Sequence, residues 1–318
     1  MQKTQLALVV ENEVNAEIKP SGITLESALN SIIELVEGYD KTFVMAAISQ
    51  KGGVGKSTVV FQFAVMLANL GFKVRLVDCD VQQTLQHQRK KRNGYKKQLF
   101  AEIEQAKKDV EENSDLKDYF KEVRFKALEK RKARVSAIST LDFAHYDSGV
   151  DFEEIIETSQ TFDIVIFDTP CHLSQMQANL MYVCDSIVMP FNNSDDEFDT
   201  NFRVNEFIKT EKVNAVEEGK VIKADIRSLI IDRPSTTTDR NEYVSSLWED
   251  SGFNKTHKLL DARLMNRQIY RDVKSFGLGV AEVEKNQASD VALKEIALVL
   301  KEILLSSNAK KAKMNGAA

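Results

Sequence analysis

The sequence predicts an α/β protein, a mostly parallel twisted sheet with helices on both faces and one inserted helical hairpin. Three observations predict it. Apolar runs of strand length alternate with segments whose apolar residues recur at helical spacing, the pattern of a sheet whose crossovers are helices. A glycine-rich loop, Ser49-Gln50-Lys51-Gly52-Gly53-Val54-Gly55-Lys56-Ser57-Thr58, lies between an apolar strand and an apolar helix. Two further apolar strands run into Asp78 and Asp168, which places carboxylates at the strand ends where parallel sheets bind ligands.

Taken in order, residues 1–40 precede the core. Leu6–Val10 reads as a short strand. Thr24 can cap a helix over Leu25–Glu37, with Leu25, Leu29, Ile32, Ile33 and Val36 on one face. This arm is too short for a helix-turn-helix domain and reads as a packing or dimer-contact element. The core then alternates: strand 43–48, glycine loop, helix 57–70, strand Val74–Asp78. The alternation breaks near Gln83. From about 84 to 135 the chain is polar and helix-compatible, with Leu99, Ile103, Ala106 and Val110 at helical spacing. A second helix from about Leu116 to Val135, with Glu111–Asp115 as the turn, makes this a helical hairpin. Beyond it come helix 151–157, strand 163–167, helix 174–182, strand 186–189, helix 196–212, strand 228–231, helix 239–250 and an amphipathic helix over Asp290–Leu305. The tail from Asn308 has Met314 as its one large apolar residue and is expected to be disordered. The organisation is therefore an N-terminal arm (1–40), a core (41–83 and 136–306), a basic insertion (84–135) and a tail (307–318).

The 318 residues are 43% hydrophobic and 29% charged, enough for a substantial core. The 3 cysteines form no CxxC pair, which argues against a disulfide framework, a zinc ribbon or a bridging iron–sulfur site. The 4 histidines lack ligand spacing. No signal peptide and no run of 18 apolar residues is visible, so a cytoplasmic setting without a transmembrane helix is expected. The net charge of −5 conceals an asymmetry: residues 86–135 hold 16 Lys and Arg against 9 Asp and Glu. An acidic total therefore does not exclude an anionic partner, which would use local patches.

The glycines of the loop let the backbone curl so that successive N–H groups face an anion, and the following helix adds its positive N-terminal end. Gly52, Gly53, Val54, Gly55, Lys56, Ser57 and Thr58 are the candidate phosphate binders. Lys56 can reach the β- and γ-phosphates, and the Ser57 hydroxyl can ligate Mg²⁺.

The loop departs from the common form. Its usual first glycine would fall at Gln50, and Lys51 opens it instead. This resembles the deviant Walker A motif, KGGxGK[ST], of the ParA/MinD family of ATPases, and most of all its ParA branch. The resemblance implies a P-loop NTPase-type fold, ATP and Mg²⁺ as ligands, and slow, partner-stimulated hydrolysis. It also implies an ATP-bound homodimer in which Lys51 reaches across to the partner's phosphates. Asp78-Cys79-Asp80-Val81-Gln82 resembles the family's DxDPQ element, with Val81 where proline is usual. By that resemblance Asp80 positions or polarises the attacking water and Asp78 supports the Mg²⁺ shell. The strand ending at Asp168 looks like the family's Walker B, with Asp168 holding Mg²⁺ through a water. Thr169 and Pro170 then begin a γ-phosphate-sensing loop, where Cys171 departs from the usual residues. Ser186–Phe191 resembles the next strand. The acids after it, Asp195, Asp196, Glu197 and Asp199, read as a solvated helix start, since acids are favoured there. Leu229–Pro234 resembles the strand whose following loop contacts adenine, making Asp232, Arg233 and Pro234 candidates for the base pocket.

Arg263, Arg267 and Arg271 recur every four residues, with Lys274 three further on. A helix over Ala262–Phe276 would place all four on one face, a stripe suited to sequence-tolerant, salt-sensitive phosphate contact. Arg267-Gln268-Ile269-Tyr270 resembles a segment of small plasmid ParA proteins where nonspecific DNA contacts are proposed. The bland alternative is an ordinary exposed basic face. The insertion offers a second patch, Arg89 to Lys97, suited to DNA or a partner protein. The resemblance thus implies an ATPase that binds double-stranded DNA nonspecifically, segregates plasmid or chromosome DNA, responds to a ParB-like or adaptor protein, and associates with the nucleoid in its ATP state. The alternative is a positioning ATPase for a protein cargo or membrane-bound complex. A membrane-binding C-terminal helix would need more bulky apolar residues than the tail contains.

Overall fold

The computed structural model of the chain describes residues 23–146, 151–232 and 238–316. Its centre is an eight-stranded sheet in which every pairing is parallel. In chain order the elements are α1 (Leu25–Glu37), β1 (Phe43–Ala47), α2 (Lys56–Asn69), β2 (Val74–Asp78), α3 (Thr84–Glu112), α4 (Asp118–Ser136), β3 (Asp142–His145), α5 (Phe152–Thr158), β4 (Ile164–Asp168), α6 (Gln175–Val183), β5 (Ser186–Asn192), α7 (Asp195–Glu217), β6 (Asp225–Asp232), α8 (Thr238–Asp250), β7 (Lys258–Leu259), β8 (Leu264–Met265), α9 (Gln268–Ser275) and α10 (Gln287–Gly316). The strand order is β3-β2-β4-β1-β5-β6-β7, with β8 also paired to β6. The expected strand at Leu6–Val10 lies outside the described residues.

β1 is buried along its whole length because both of its faces are covered. Phe43, Met45 and Ala47 join a core with α1, α2, α9 and α10, whereas Val44, Ala46 and Ile48 join one with α5, α6 and α7. The strand's two-residue period thus divides an unbroken apolar run between two layers. β1 also lies between β4 and β5, with its C-terminal end and the glycine loop at the point where the chain's winding direction changes.

α1 forms over the expected residues. The Thr24 hydroxyl accepts the Ser27 N–H, and Ala28, Ile32 and Val36 are buried. It packs against α10, which differs from expectation by running on to Gly316. The residues beyond Asn308 are good helix formers. They are secured by polar contacts instead of apolar burial: Lys310 Nζ donates to the Ile222 and Ala224 carbonyls, and the Lys311 ammonium lies 4.9 Å from the centroid of the Tyr39 ring. A shortage of large apolar residues was therefore no guide to order here.

The helical hairpin leaves the core after Gln83, whose φ of 50° turns the chain, and returns at Ile138. Its two helices are joined through the segment around Asn113, as expected. Its base is bolted down by a buried ion pair. Arg92 is buried, pairs with Glu282, and donates to the Gly277 and Ser139 carbonyls. Gly277 has a φ of +72°, and a side chain there would strike the α3 backbone. Farther out, α3 still buries Ile103 and Val110, whereas α4 buries only Val135, in its last turn beside the base.

Candidate functional site

The glycine loop closes on itself through left-handed backbone at Gly53 and Gly55, with φ of 81° and 94°. Gly55 begins α2, and no side chain caps that helix, so its first amides are left for a ligand. A side-chain carbon built at Gly52, Gly53 or Gly55 would meet nothing within 4 Å. The concave side of the loop is thus an open cradle of backbone donors, while Val54 anchors it from below.

Two lysines serve this cradle in different ways. Lys56 is buried, and its Nζ lies 2.9 Å from Asp168 Oδ1 at the end of β4, itself fully buried. Lys51 is 48% exposed, yet its Nζ lies 2.9 Å from Oε1 of Glu197, whose side chain is only 4% exposed. Glu197 belongs to the first turn of α7, and it is not the solvated helix-start acid that its sequence context suggests. The spacing of 146 positions hid it, because only the β5 crossover brings α7 over the loop.

Asp168 Oδ2 is buried with no hydrogen-bond partner among the described residues. An orphaned carboxylate oxygen beside a lysine and an open anion cradle fits a hydrated divalent cation next to a phosphate. Asp168 and Ser57 are the residues that would hold Mg²⁺, which supplies charge neutralisation to the phosphates when bound.

Asp78 is differently engaged. One of its oxygens accepts the Leu85 and Gln86 N–H groups at 2.9 and 3.2 Å, and the other accepts the Asp80 N–H. It therefore ties the start of α3 to β2. Burial, the largest cause, together with nearby Asp168 pushes its pKa up against these hydrogen bonds. Asp80 follows at the mouth of the site, where Oδ1 accepts the Gln82 N–H at 2.9 Å and Val81, in the usual proline position, is exposed. Cys171 lies with its sulfur 4.0 Å from the Ser49 hydroxyl, beside the loop.

Asp232 ends β6 and is buried. Its Oδ1 accepts from Asn193, and Arg263 Nη1 stands 3.6 Å from Oδ2. Arg233 and Pro234, the other candidates for the base pocket, lie outside the described residues.

The basic stripe does not form as one helix face. The helix covers only Gln268–Ser275; Arg263 precedes β8 and Arg267 stands at the helix cap. The chain spends residues 264–265 on a short strand against β6, which the helical spacing of the arginines concealed. Arg267 pairs with Glu295 through both Nε and Nη2. Arg271 is exposed and, among the described residues, bonds only neutral side chains, Gln268 and Asn266. Burial and nearby Lys91 lower the pKa of Lys274. The structure thus brings Lys274 beside α3 and leaves Arg263 and Arg267 answered by acids.

A shallow surface cavity lies along α4, among Asp118, Lys121, Glu122, Phe125, Lys126 and Glu129, and shares no residue with the loop. The site is identified by its chemistry, and a smaller cleft between the loop and α7, lined by Gln50, Lys51, Val54 and Glu197, adjoins it.

A family model described as an AAA domain matches residues 42–215, more than half of the chain. An uncharacterized ATP-binding protein of Methanocaldococcus jannaschii is 29% identical over 154 residues, covering 46% of this chain and 51% of that protein. The sporulation initiation inhibitor protein Soj of Bacillus subtilis is 29% identical over 151 residues, covering 46% of this chain and 57% of Soj. The chain thus spans about half the length of the curated relatives it matches. A solved MinD cell division protein from Aquifex aeolicus superposes with a TM-score of 0.48 at 18% identity, covering 80% of this chain and 95% of that one. With the family match extending over the phosphate loop and both strand-end aspartates, the chain belongs to the AAA domain family.

Proposed function

We propose that the chain is an Mg²⁺-dependent ATP hydrolase that dimerises on ATP, binds duplex DNA without sequence preference, and moves plasmid or chromosome DNA in response to a partner protein. The observation that carries the reading is the pairing of both loop lysines with buried acids around an open backbone cradle. Lys56 is already desolvated and both cations are oriented, and a polyphosphate can take the place of each carboxylate. Within this reading Lys56 neutralises phosphate charge, Lys51 adds a second cation, and Asp80 orients the attacking water. Exposed Arg271 supports the DNA contact, because among the described residues it has no carboxylate to release before meeting a phosphate.

The test is binding to random-sequence duplex DNA with ATP, ADP or no nucleotide, across a salt series. Binding that requires ATP and weakens with salt is the expected result. Absence of binding in every nucleotide state would overturn the DNA reading.

A second reading, a positioning ATPase for a protein cargo or membrane-bound complex, is favoured by one feature. Tyr119, Phe120 and Val123 are exposed near the start of α4, on the part of the hairpin farthest from its buried base. Apolar side chains so placed suit a protein contact.

A further inference from the structure

Resting on the duplex-DNA reading above, we propose that α3 and α9 form one phosphate-contacting surface, in which Lys91 at the hairpin base joins Arg271 and Lys274 against the backbone of duplex DNA.

From Thr84 to Ala101 α3 contains no acid, yet it carries six cations between Arg89 and Lys97. Three of them are engaged by the protein itself. Arg92 pairs with Glu282, Lys96 donates to the Ile138 carbonyl, and Arg89 reaches toward the Phe143 carbonyl. Lys90, Lys91 and Lys97 remain exposed. The first acids of the helix, Glu102 and Glu104, pair with Arg131 and Lys132 of α4. The hairpin's positive charge is thus answered in its outer part and left open at its base.

That base meets α9 closely. A side-chain carbon built at Gly277 would fall 2.3 Å from the Arg92 nitrogen, so the chain just after α9 lies directly on the α3 backbone. Beside this contact the rings of Tyr95 and Phe276 pack with centroids 4.9 Å apart. On α9, Arg271 and Lys274 are three residues apart and share a face. Burial and the charge of nearby Lys91 lower the pKa of Lys274, which places the lysines of the two helices side by side. The acid whose charge also reaches Lys274 is Asp168, and Lys56 already pairs with it. Among the described residues, Lys91, Arg271 and Lys274 have no ion-pair partner of their own.

Cations held together with no acid between them repel one another in the free chain and favour any polyanion that enters. Duplex DNA fits this surface, because its phosphates form a regular anionic rail that needs only cations at fixed positions. The positions are fixed from the core. Asp78 accepts the Leu85 N–H at the start of α3, at 2.9 Å, and the Val280 N–H beyond α9 donates to Gln62 Oε1 of α2, at 2.8 Å. Little backbone ordering is therefore left to oppose binding. An acidic protein would in addition want free apolar area at the centre of the contact. Phe276, the exposed ring at this surface, is already packed against Tyr95.

The experiment follows the fluorescence anisotropy of a labelled random-sequence duplex with Mg²⁺ and ATP across a salt series. It compares the unmodified chain with Lys91→Ala, Lys274→Ala, the double variant, Lys91→Arg and Lys108→Ala, with thermal unfolding recorded for each. Lys108 is exposed on the same helix, roughly 25 Å farther along its axis, and its removal changes the net charge equally. The expected result is that Lys91→Ala and Lys274→Ala each lower the slope of log affinity against log salt by about one, and the double variant by about two. Lys91→Arg and Lys108→Ala keep the slope of the unmodified chain. An unchanged slope in Lys91→Ala, or an equal loss in Lys108→Ala, overturns the surface and leaves the DNA reading standing. Should half-buried Lys274 be needed for folding, exposed Lys91 carries the test by itself. A labelled polyglutamate peptide is the second probe; Lys91-dependent binding of it as tight as that of the duplex assigns the surface to an acidic protein and overturns the proposal. Absence of duplex binding to the unmodified chain in every nucleotide state overturns the DNA reading and the surface together.

Discussion

The phosphate loop and the outer part of the α3–α4 hairpin both present basic side chains, and they dispose of the charge in opposite ways. In the loop, Lys56 and Lys51 meet Asp168 and Glu197, acids that are almost wholly buried. On the hairpin, Arg131 pairs with Glu102 and Lys132 with Glu104, and all four side chains are more than 40% exposed. The pair geometries are alike, but water stands ready to replace either hairpin partner and cannot reach the loop acids. A count of charges along the sequence ranks the hairpin as the region most suited to anions. Burial reverses that order, because a cation held by a desolvated acid is a tuned contact and one on an open helix is a solvated surface.

The largest expected effect comes from breaking the buried pair. Lys56→Ala leaves Asp168 charged and unanswered and should destabilise the nucleotide-free chain by about 3–5 kcal/mol, read by urea unfolding at neutral pH. The Lys56→Ala/Asp168→Ala double variant should recover part of that loss. Full stability in the single variant would mean that Asp168 finds another partner, and the contrast with the hairpin would fall.

His257 sharpens the comparison, since it is buried with no acid to answer it among the described residues. It lies among Trp248 and Phe253, and burial, aided by Lys212, lowers its pKa from 6.5 to about 3. The folded chain keeps it neutral, whereas the unfolded chain protonates it below pH 6.5. Its contribution is therefore complete above pH 6.5 and is lost as pH falls toward about 3, amounting to about 3 kcal/mol by pH 4. The acid-side slope of stability against pH should be shallower in His257→Gln. An unchanged slope would show that this ring is not the titrating group.

Arg271 and Arg267 carry the comparison to the DNA face. Arg271→Ala should lower the slope of log affinity against log salt by about one, as for the loss of a single phosphate contact. Arg267→Ala should leave that slope unchanged and lower the melting temperature instead, since its guanidinium is engaged with Glu295. Equal slopes for the two variants would contradict the assignment. The smallest effect belongs to the hairpin: Arg131→Ala should leave unfolding unchanged within error.

How much of this was legible in the sequence follows from how local each signal is. The loop, β2 and α1 are contiguous patterns, in which glycine spacing, an apolar run and a capping threonine each carry their own structural reason. β7 and β8 are two residues long, too short for any period to register. The arginines at 263 and 267 have helical spacing, but partners at Asp232 and Glu295 decide their fate, and neither is near in sequence. Glu197 failed to register for the same reason, because an acid at a helix start looks solvated until the crossover from β5 is in place. What sequence reasoning missed was compensation across elements, which only the fold brings about.

The most direct test of the central claim, that the loop cations are held by buried acids and pass to polyphosphate, is calorimetric titration of ATP with Mg²⁺ into the unmodified chain and into Lys56→Ala. The unmodified chain is expected to bind ATP and the variant to bind about a hundredfold more weakly or not at all, through loss of a preorganised charge. Equal affinity in the two proteins would contradict it, and would place the nucleotide somewhere other than the glycine loop.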